Sequence, residues 1–430
     1  MLSPEVNERL TRVGPVTPMG TTMRRYWIPA LLCSEIAEPD GPPVRVKLLG
    51  ERLVAFRDTR GQVGLVQEHC PHRCASLFLG RNEEGGLRCV YHGWKFDVQG
   101  RCIDMPTERS TSNFPSKIRL VAYPTLELGG VVWTYLGPAG RMPPPPRFEW
   151  AVLPETHRIV TKSWQECNWL QTVEGGVDSF HVAWLHRAVN PATSRIGVRG
   201  IWTKPSEIDD EVDMTDYGLR YASTRLLPSG QQWVRVYHMI LPFHVIFPLQ
   251  IGLGVEGTQN FTPMVSGHFG VPIDDENTMV YNWTARFGAD PLTDHERKRR
   301  ELEGGRSPGA LTSDARKVWD RHRDWGIDRL VQKLETYSGI EGVDAQDHAV
   351  QESMGPIVDR SLEHLGSTDR AVISLRKALL AAIKAVEAGN DPPGVGRSLY
   401  RLRAIEKIID SGLDWRNELA SEYEIAALDP

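Results

Sequence analysis

Four residues in the first quarter of the chain have types and spacing that suit a metal site. Cys70 and His72 form C-x-H, Cys89 and His92 form C-x-x-H, and sixteen residues separate the two pairs. Two thiolates and two imidazoles suit either tetrahedral zinc or a two-iron cluster with both sulfurs on one iron and both nitrogens on the other. The cluster is favoured, because a C-x-H loop is unusual in zinc modules and each loop supplies one Cys and one His. Imidazole ligation raises the potential of such a cluster and makes it a one-electron relay, which requires an acceptor. Asp178, His181 and His186, spaced D-x-x-H-x-x-x-x-H, offer one. Two histidines and a carboxylate on one face of Fe(II) leave coordination positions open for O2. The five-residue step from His181 to His186 is awkward on a regular helix, where i and i+4 share a face, so a bent or loosened turn is expected there.

The elements that must position these residues fall into two parts. From Val44 to Tyr135 short strand-like runs (VRVKLL, RLVAF, VGLV, VVWTYL) alternate with turn residues and predict a small all-β domain. The four prolines Pro143–Pro146 favour a stiff extended connection, so domains are expected over residues 1–147 and 148–430. In the second, Asn168–His186 reads as a helical segment weakened at Gly175-Gly176. Gln232–Ile246 and Met279–Phe287 read as strands, Asp290–Asp314 as a polar surface excursion, and Arg370–Ala388 and Leu399–Tyr423 as helices. The fold class expected is α+β, with a central antiparallel sheet flanked by helices in the second domain.

The flanks CPHRCASL and CVYHGWKFD resemble the two loops of a Rieske [2Fe–2S] centre, with Pro after the first Cys and Gly-Trp after the second His. With the blocks NWLQTVEGGVDSFHVAWLH and DAQDHAVQESMGPIVDRSLEHLG, the chain resembles the oxygenase α subunit of the Rieske non-haem iron oxygenases, most nearly the phthalate dioxygenase-like branch. The resemblance implies that Cys70, His72, Cys89 and His92 hold the cluster and that His181 and His186 hold a mononuclear Fe(II). It implies further that Asp178 joins His181 to a Rieske histidine of a neighbouring subunit, His92 by position, in a homotrimer or a multiple of it. Candidates for the third iron ligand are Asp344, Asp347, Glu352 and Asp359. Asp347 is chosen because the family's ligand falls on the Asp of the Q/E-D pair. Asp347, Val350, Met354 and Ile357 also share a helical face, which is expected to turn inward. One departure is Cys74, where the resemblance leads one to expect Gly; a positive φ there strains Cys, and a close approach to the cluster crowds it.

The expected activity is hydroxylation of a small aromatic compound, an aromatic carboxylate for this branch, with O2 and electrons from NAD(P)H through a flavin and iron–sulfur reductase. The other readings are a Rieske demethylase or monooxygenase with a different pocket, and a Rieske electron carrier, against which the second metal constellation and the length both argue. Met239, Ile240, Phe243, Val245, Phe247 and Trp283 are expected pocket walls, about half of them sheet core because strands alternate faces. Arg199, Arg235 and Arg286 are candidate carboxylate clamps. A net charge of −5 over 430 residues argues against nucleic acid and polybasic membrane contacts. Neither an apolar spanning run nor a secretory leader is seen, so a cytoplasmic protein is expected.

Overall fold

Short runs of branched and aromatic residues become strands in the computed structural model, which describes residues 1–190, 192, 194, 208–249, 264–304, 306, 307, 309–397, 399 and 402–423. The chain divides into two compact units, Val13–Pro145 on the one hand and Met1–Arg12 with Pro146–Pro430 on the other. Among the described residues no helix is long and apolar enough to cross a membrane.

The Val13–Pro145 unit holds β1 (Trp27–Leu32), β2 (Val44–Leu48), β3 (Glu51–Arg57), β4 (Val63–Gln67), β5 (Arg81–Glu83), β6 (Gly86–Arg88), β7 (Lys95–Phe96), β8 (Cys102–Asp104), β9 (Thr125–Leu128) and β10 (Val131–Tyr135). They form three antiparallel sheets, ordered β1-β10-β9, β2-β3-β4 and β5-β6-β7-β8. Aspartates close two of the turns: Asp58 Oδ1 accepts from the Arg60 and Gln62 amides, and Asp97 Oδ1 from those of Gln99 and Arg101. Val54, Phe56, Val66, Leu87, Phe96 and Leu120 pack around the Cys70 and Cys89 side chains.

The second unit is built on β11 (Arg158–Gln165), β12 (Ile208–Met214), β13 (Gly218–Leu226), β14 (Gln231–Ile240), β15 (His244–Pro248), β16 (Met264–Pro272), β17 (Thr278–Arg286) and β18 (Ile405–Asp410). These make one antiparallel sheet in the order β11-β17-β16-β15-β14-β13-β12, with β18 paired to β14. Register assigns the faces, because directly opposed residues project the same way. His268 opposes Asn282 and Val245, and Val245 opposes Met239, so these four share one face. Trp283, Phe269, His244 and Ile240 project from the other.

The helices Trp169–Val177 and Arg370–Glu387 cover the His268 face. A Cβ on Gly270 would sit 3.0 Å from Val173 Cγ2, so the sheet must lack a side chain there to admit the helix. Trp150 stacks on Trp283 across the opposite face, with ring centroids 4.7 Å apart.

Four expectations are corrected. Residues 1–12 pack with the second unit and not the first: Leu10 is fully buried, and Asn7 bonds to the Val358 carbonyl and to Arg360. Leu399–Tyr423 is not one helix; IEKIID joins the edge of β14 as β18, and short turns at Trp415–Glu418 and Ala420–Tyr423 follow. Asp290–Asp314 contains the helix Asp294–Glu303, opened by a capping box of Thr293 and Glu296, so the segment is no loose excursion. Asn168–His186 is two helices, Trp169–Val177 and Val182–Leu185, and Gly175-Gly176 lies unbroken inside the first.

The Trp169–Val177 helix is tied down by a charge network. Arg360, fully buried, donates to both oxygens of Glu174 and to Asn7 Oδ1, and Arg376 bonds both Glu174 and Glu363. Removing one partner of such a group leaves uncompensated buried charge. Arg360→Ala is expected to destabilise the protein by about 3–5 kcal/mol, read from denaturant unfolding of the second unit; a loss below about 1 kcal/mol would show the network to be dispensable.

Candidate active site

The cluster loops repeat one backbone pattern. The Cys70 amide donates to the Ala75 carbonyl and the Cys70 carbonyl accepts from Cys74; the Cys89 amide donates to Trp94 and the Cys89 carbonyl accepts from Gly93. Cys74 and Gly93 therefore hold equivalent places, and both have positive φ, 59° and 76°. This settles why glycine is expected at 74: the requirement is conformational, and the Cys74 thiol is exposed and unbridged.

The His72 and His92 rings lie 4.3 Å apart, with His72 stacked on Trp94 at 4.4 Å and Tyr91 against His92 at 4.0 Å. Cys70 and Cys89 are buried, and burial together with the Cys89 thiol pushes the Cys70 thiol up to about 11. Two buried thiols beside two imidazoles, one of which keeps a buried, unpartnered Nδ1 on His92, fit a two-iron cluster.

In the second unit the awkward His181–His186 spacing has a local answer. Asp178 ends the Trp169–Val177 helix with extended backbone, φ −84° and ψ 114°, and a one-turn helix follows with His181 before it and His186 after it. The rings converge at 5.1 Å with an interplanar angle of 80°. Asp347, on the helix Val343–Ser353, places Oδ1 3.2 Å from His186 Nε2 and 3.5 Å from His181 Nε2. One donor atom from each of the three lies within 4.8 Å of the others, a set that fits one metal ion. Burial opposes charge on His186 and Asp347, yet their attraction outweighs it: the imidazole stands above its ordinary value and the carboxyl below.

A residue missed in the sequence fixes this arrangement. Gln346 Nε2 donates to the Ile340 carbonyl at 2.9 Å, which turns its Oε1 toward His186 Nδ1 at 2.7 Å. In the neutral ring His186 then carries its proton on Nδ1, which leaves the Nε2 lone pair toward Asp347 and His181. The only signal in the sequence was adjacency, Gln-Asp on one turn.

The other carboxylates are engaged elsewhere. Asp344 pairs with Arg306 at 2.6 Å, Glu352 accepts from the Glu166 amide and Trp325 Nε1, and exposed Asp359 caps Ser361. The face expected to turn inward with Asp347 does not: Val350 and Met354 are 40% and 49% exposed. The buried face is instead Gln346, His348, Ala349, Gln351 and Glu352. Gln351 accepts from Gln165 Nε2 at 2.6 Å and its carbonyl from Gln171, so hydrogen bonds and not apolar spacing set the orientation.

Asp178 Oδ1 accepts from the Phe180 amide, while Oδ2 is 3.9 Å from His181 Nδ1, too long for a hydrogen bond, and that Nδ1 is buried without a partner. Asn168, Gln171 and Glu174 are structural: Asn168 caps the helix and bonds the Thr11 and Asp275 carbonyls. Among the expected pocket walls Met239, Val245 and Phe247 lie on the helix-covered face, Ile240 and Trp283 on the other, and Phe243 in the β14–β15 turn. Arg286 pairs with Glu296, and Arg235 with Tyr237, the Pro248 carbonyl and Glu406. Arg199 lies outside the described residues.

Residues 26–115 match the Rieske [2Fe–2S] domain, and residues 134–429 match the family described as LigXa C-terminal domain like. The 3-chlorobenzoate-3,4-dioxygenase oxygenase subunit of Comamonas testosteroni is 38% identical over 98% of each chain. The phthalate 4,5-dioxygenase oxygenase subunit of Pseudomonas putida is 38% identical over 97% of this chain and 94% of its own. The fold is also that of solved structures: NdmA of Pseudomonas putida CBB5 superposes with a TM-score of 0.61 at 21% identity, covering 86% of this chain and 94% of its own. Dicamba monooxygenase bound to dicamba superposes with a TM-score of 0.60 at 18% identity, covering 85% and 99%. The chain belongs to the Rieske non-haem iron oxygenases, as an oxygenase subunit and an oxidoreductase that acts with incorporation of O2.

Behind the Asp178 turn, buried Asp210 accepts from Ser179 Oγ, and burial pushes its carboxyl up to about 6. A carboxyl raised from 3.8 to about 6 favours the folded state below the lower value and loses that advantage as pH rises through the upper one. Asp210→Asn is therefore expected to be more stable to denaturant than wild type at pH 8, by on the order of 2–3 kcal/mol, with the gap closing toward pH 4. A gap independent of pH would show that Asp210 is not the titrating group.

Proposed function

We propose that this chain is the terminal oxygenase of a multicomponent system that hydroxylates a small aromatic compound, an aromatic carboxylate by the company of its relatives. Electrons come from NAD(P)H through a flavin and iron–sulfur reductase, and the protein works in the cytoplasm. The observation that supports this best is the pairing, in one chain, of Cys/His loops suited to a one-electron cluster with a His181–His186–Asp347 set suited to Fe(II). Cys70, His72, Cys89 and His92 would hold the cluster and His181, His186 and Asp347 the iron; when bound, these groups supply one-electron transfer and O2 activation.

The chain's own residues then have distinct tasks. Asp347 brings the one anionic donor of the set, and Gln346 holds the Nδ1 proton of His186 and so its tautomer. Asp178, fixed by the Phe180 amide, presents its second oxygen toward His181 Nδ1. In a homotrimer, or a multiple of it, the same carboxylate would reach His92 of the partner subunit, giving a short hydrogen-bonded link between a cluster ligand and an iron ligand. Aromatic and aliphatic side chains on the helix-covered sheet face, Met239, Val245 and Phe247 among them, would keep the site dry.

The reaction is tested by incubating the protein with NADH, a reductase and a panel of aromatic acids under 18O2. Label in a ring hydroxyl is expected. Release of formaldehyde from methoxylated acids alone would favour demethylation, and NADH consumption without label in any product would overturn the oxygenase reading.

The ligand assignment is tested by metal analysis. Asp347→Ala is expected to lose mononuclear iron and keep a full cluster, and Asp359→Ala to keep both. Gln346→Leu is expected to weaken iron binding about 10–100-fold. Iron retained in the Asp347 variant would place the ligand elsewhere.

A further inference from the structure

The side chains of the His181–His186–Asp347 set are not the only charges at this end of the second unit. Asp344 precedes Asp347 by one turn of the Val343–Ser353 helix, so the two carboxylates are neighbours on one helix face. They have different partners. Asp347 reaches the two histidines, whereas Asp344 is taken at 2.6 Å by Arg306, an almost wholly buried guanidinium that also donates to the Arg300 carbonyl at 3.4 Å. Burial opposes charge on Asp344, yet Arg306, Arg300 and Lys317 outweigh it and hold the carboxyl well below its usual range.

Lys317 completes the cluster. Its segment is closed by the bridge between Leu311 and Lys317, and its ammonium donates at 3.0 Å to the carbonyl of Gly304, two residues before Arg306. Burial pushes the ammonium down to about 8, so it keeps its proton at pH 7. From this place it acts electrostatically on Asp344, Arg306, Glu352, Asp347 and His348, and Asp344 in turn acts on His186 and Asp347. Asp344 and Arg306 largely cancel, and the charge of Lys317 opposes that of Asp347. Such charges are felt more strongly through a protein interior than through water.

We propose that Lys317 and the Arg306–Asp344 pair are positioning groups that set the charge felt at the His181–His186–Asp347 set and so hold its metal as Fe(II) and not Fe(III). The proposal rests on the oxygenase reading, in which that set holds iron. A nearby positive charge disfavours the metal state of higher charge, and a nearby negative charge favours it. Lys317 therefore favours the ferrous ion while loosening the grip on it, and Asp344 pulls the other way. Arg306 moderates Asp344 and keeps it from joining Asp347 on the metal. Fe(II) is the state in which two histidines and one carboxylate serve an oxygenase.

The test uses the full chain, reconstituted with cluster and iron, at pH 7. Fe(II) affinity is read by anaerobic competition with a chelator, and the iron potential by mediated titration against the ferric paramagnetic signal. Lys317→Met is expected to bind Fe(II) about 10-fold more tightly and to have a lower potential. Asp344→Asn is expected to bind it about 10-fold more weakly and to have a higher potential. Lys317→Arg keeps the charge and is expected to match wild type in both. Opposite shifts are the signature of charge, because loosened packing weakens binding in both variants. Weaker or unchanged binding in Lys317→Met overturns the proposal, and so does a Lys317→Arg variant that behaves like Lys317→Met. Should Asp344→Asn fail to fold, the two Lys317 variants decide alone. These shifts without any 18O-labelled product would leave the proposal standing and the oxygenase reading refuted, whereas wild type that takes up no Fe(II) through His181, His186 and Asp347 would overturn both.

Discussion

Everything at the His181–His186–Asp347 site depends on a polar clasp around the Val343–Ser353 helix. Apolar packing alone would let the Val343–Ser353 helix roll on the Trp169–Val177 helix with little penalty, because apolar contact is non-directional. Directional bonds prevent it: Gln351 is gripped by Gln165 and Gln171, and Glu352 by the Glu166 amide and Trp325. With roll and register fixed, Asp347 has one place to go, between His181 and His186. The same clasp explains Gly175, where any Cβ would strike Gln351 Nε2 at 2.5 Å. The paired glycines serve close approach and not bending.

Buried amides and carboxylates gain little net stability over the same groups in water, but mispairing them is expensive. Such a network therefore specifies geometry better than it adds stability. A three-donor set suited to one ion needs that kind of specificity, since a displacement of one helix by a fraction of a turn would carry Asp347 out of reach.

The sequence was most legible where chemistry is local. The Cys/His loops stand out because each pair of donors sits within four residues, and the histidines that converge on Asp347 because one segment carries both. In the first unit β2, β3, β4 and β10 were visible from their branched and aromatic runs and turn residues, whereas β1 and the short strands β5 to β9 were not; β14 and β17 were visible too, although the run Gln232–Ile246 breaks into β14 and β15. What failed was inference from apolar spacing where polar groups are buried: Val350 and Met354 suggested the wrong face of the Val343–Ser353 helix because its inward face is amide and acid. Gln346 was legible only as the neighbour of Asp347 in the Q/E-D pair, since its role exists only once Ile340 and His186 are brought to it. IEKIID was ambiguous between helix and strand, and the open edge of β14 decided it. Which sheet face each expected wall residue takes was not legible, because alternation is certain but its phase is not, and register against β16 assigned Trp283 to the far face.

The partition of the chain has a consequence for how it is made. Residues 1–12 belong with the second unit, yet the groups they bind, Asn168, Val358 and Arg360, follow the whole Val13–Pro145 unit. On a ribosome the opening segment must wait, unpaired, until most of the chain has emerged, whereas the intervening unit is complete by Pro145 and free to close by itself. The Rieske unit is in effect an insertion, tethered at both of its ends. Cleavage at one of the two connections would leave it covalently attached through the other, so a protease must cut twice before the electron relay and the oxygen-activating unit part company.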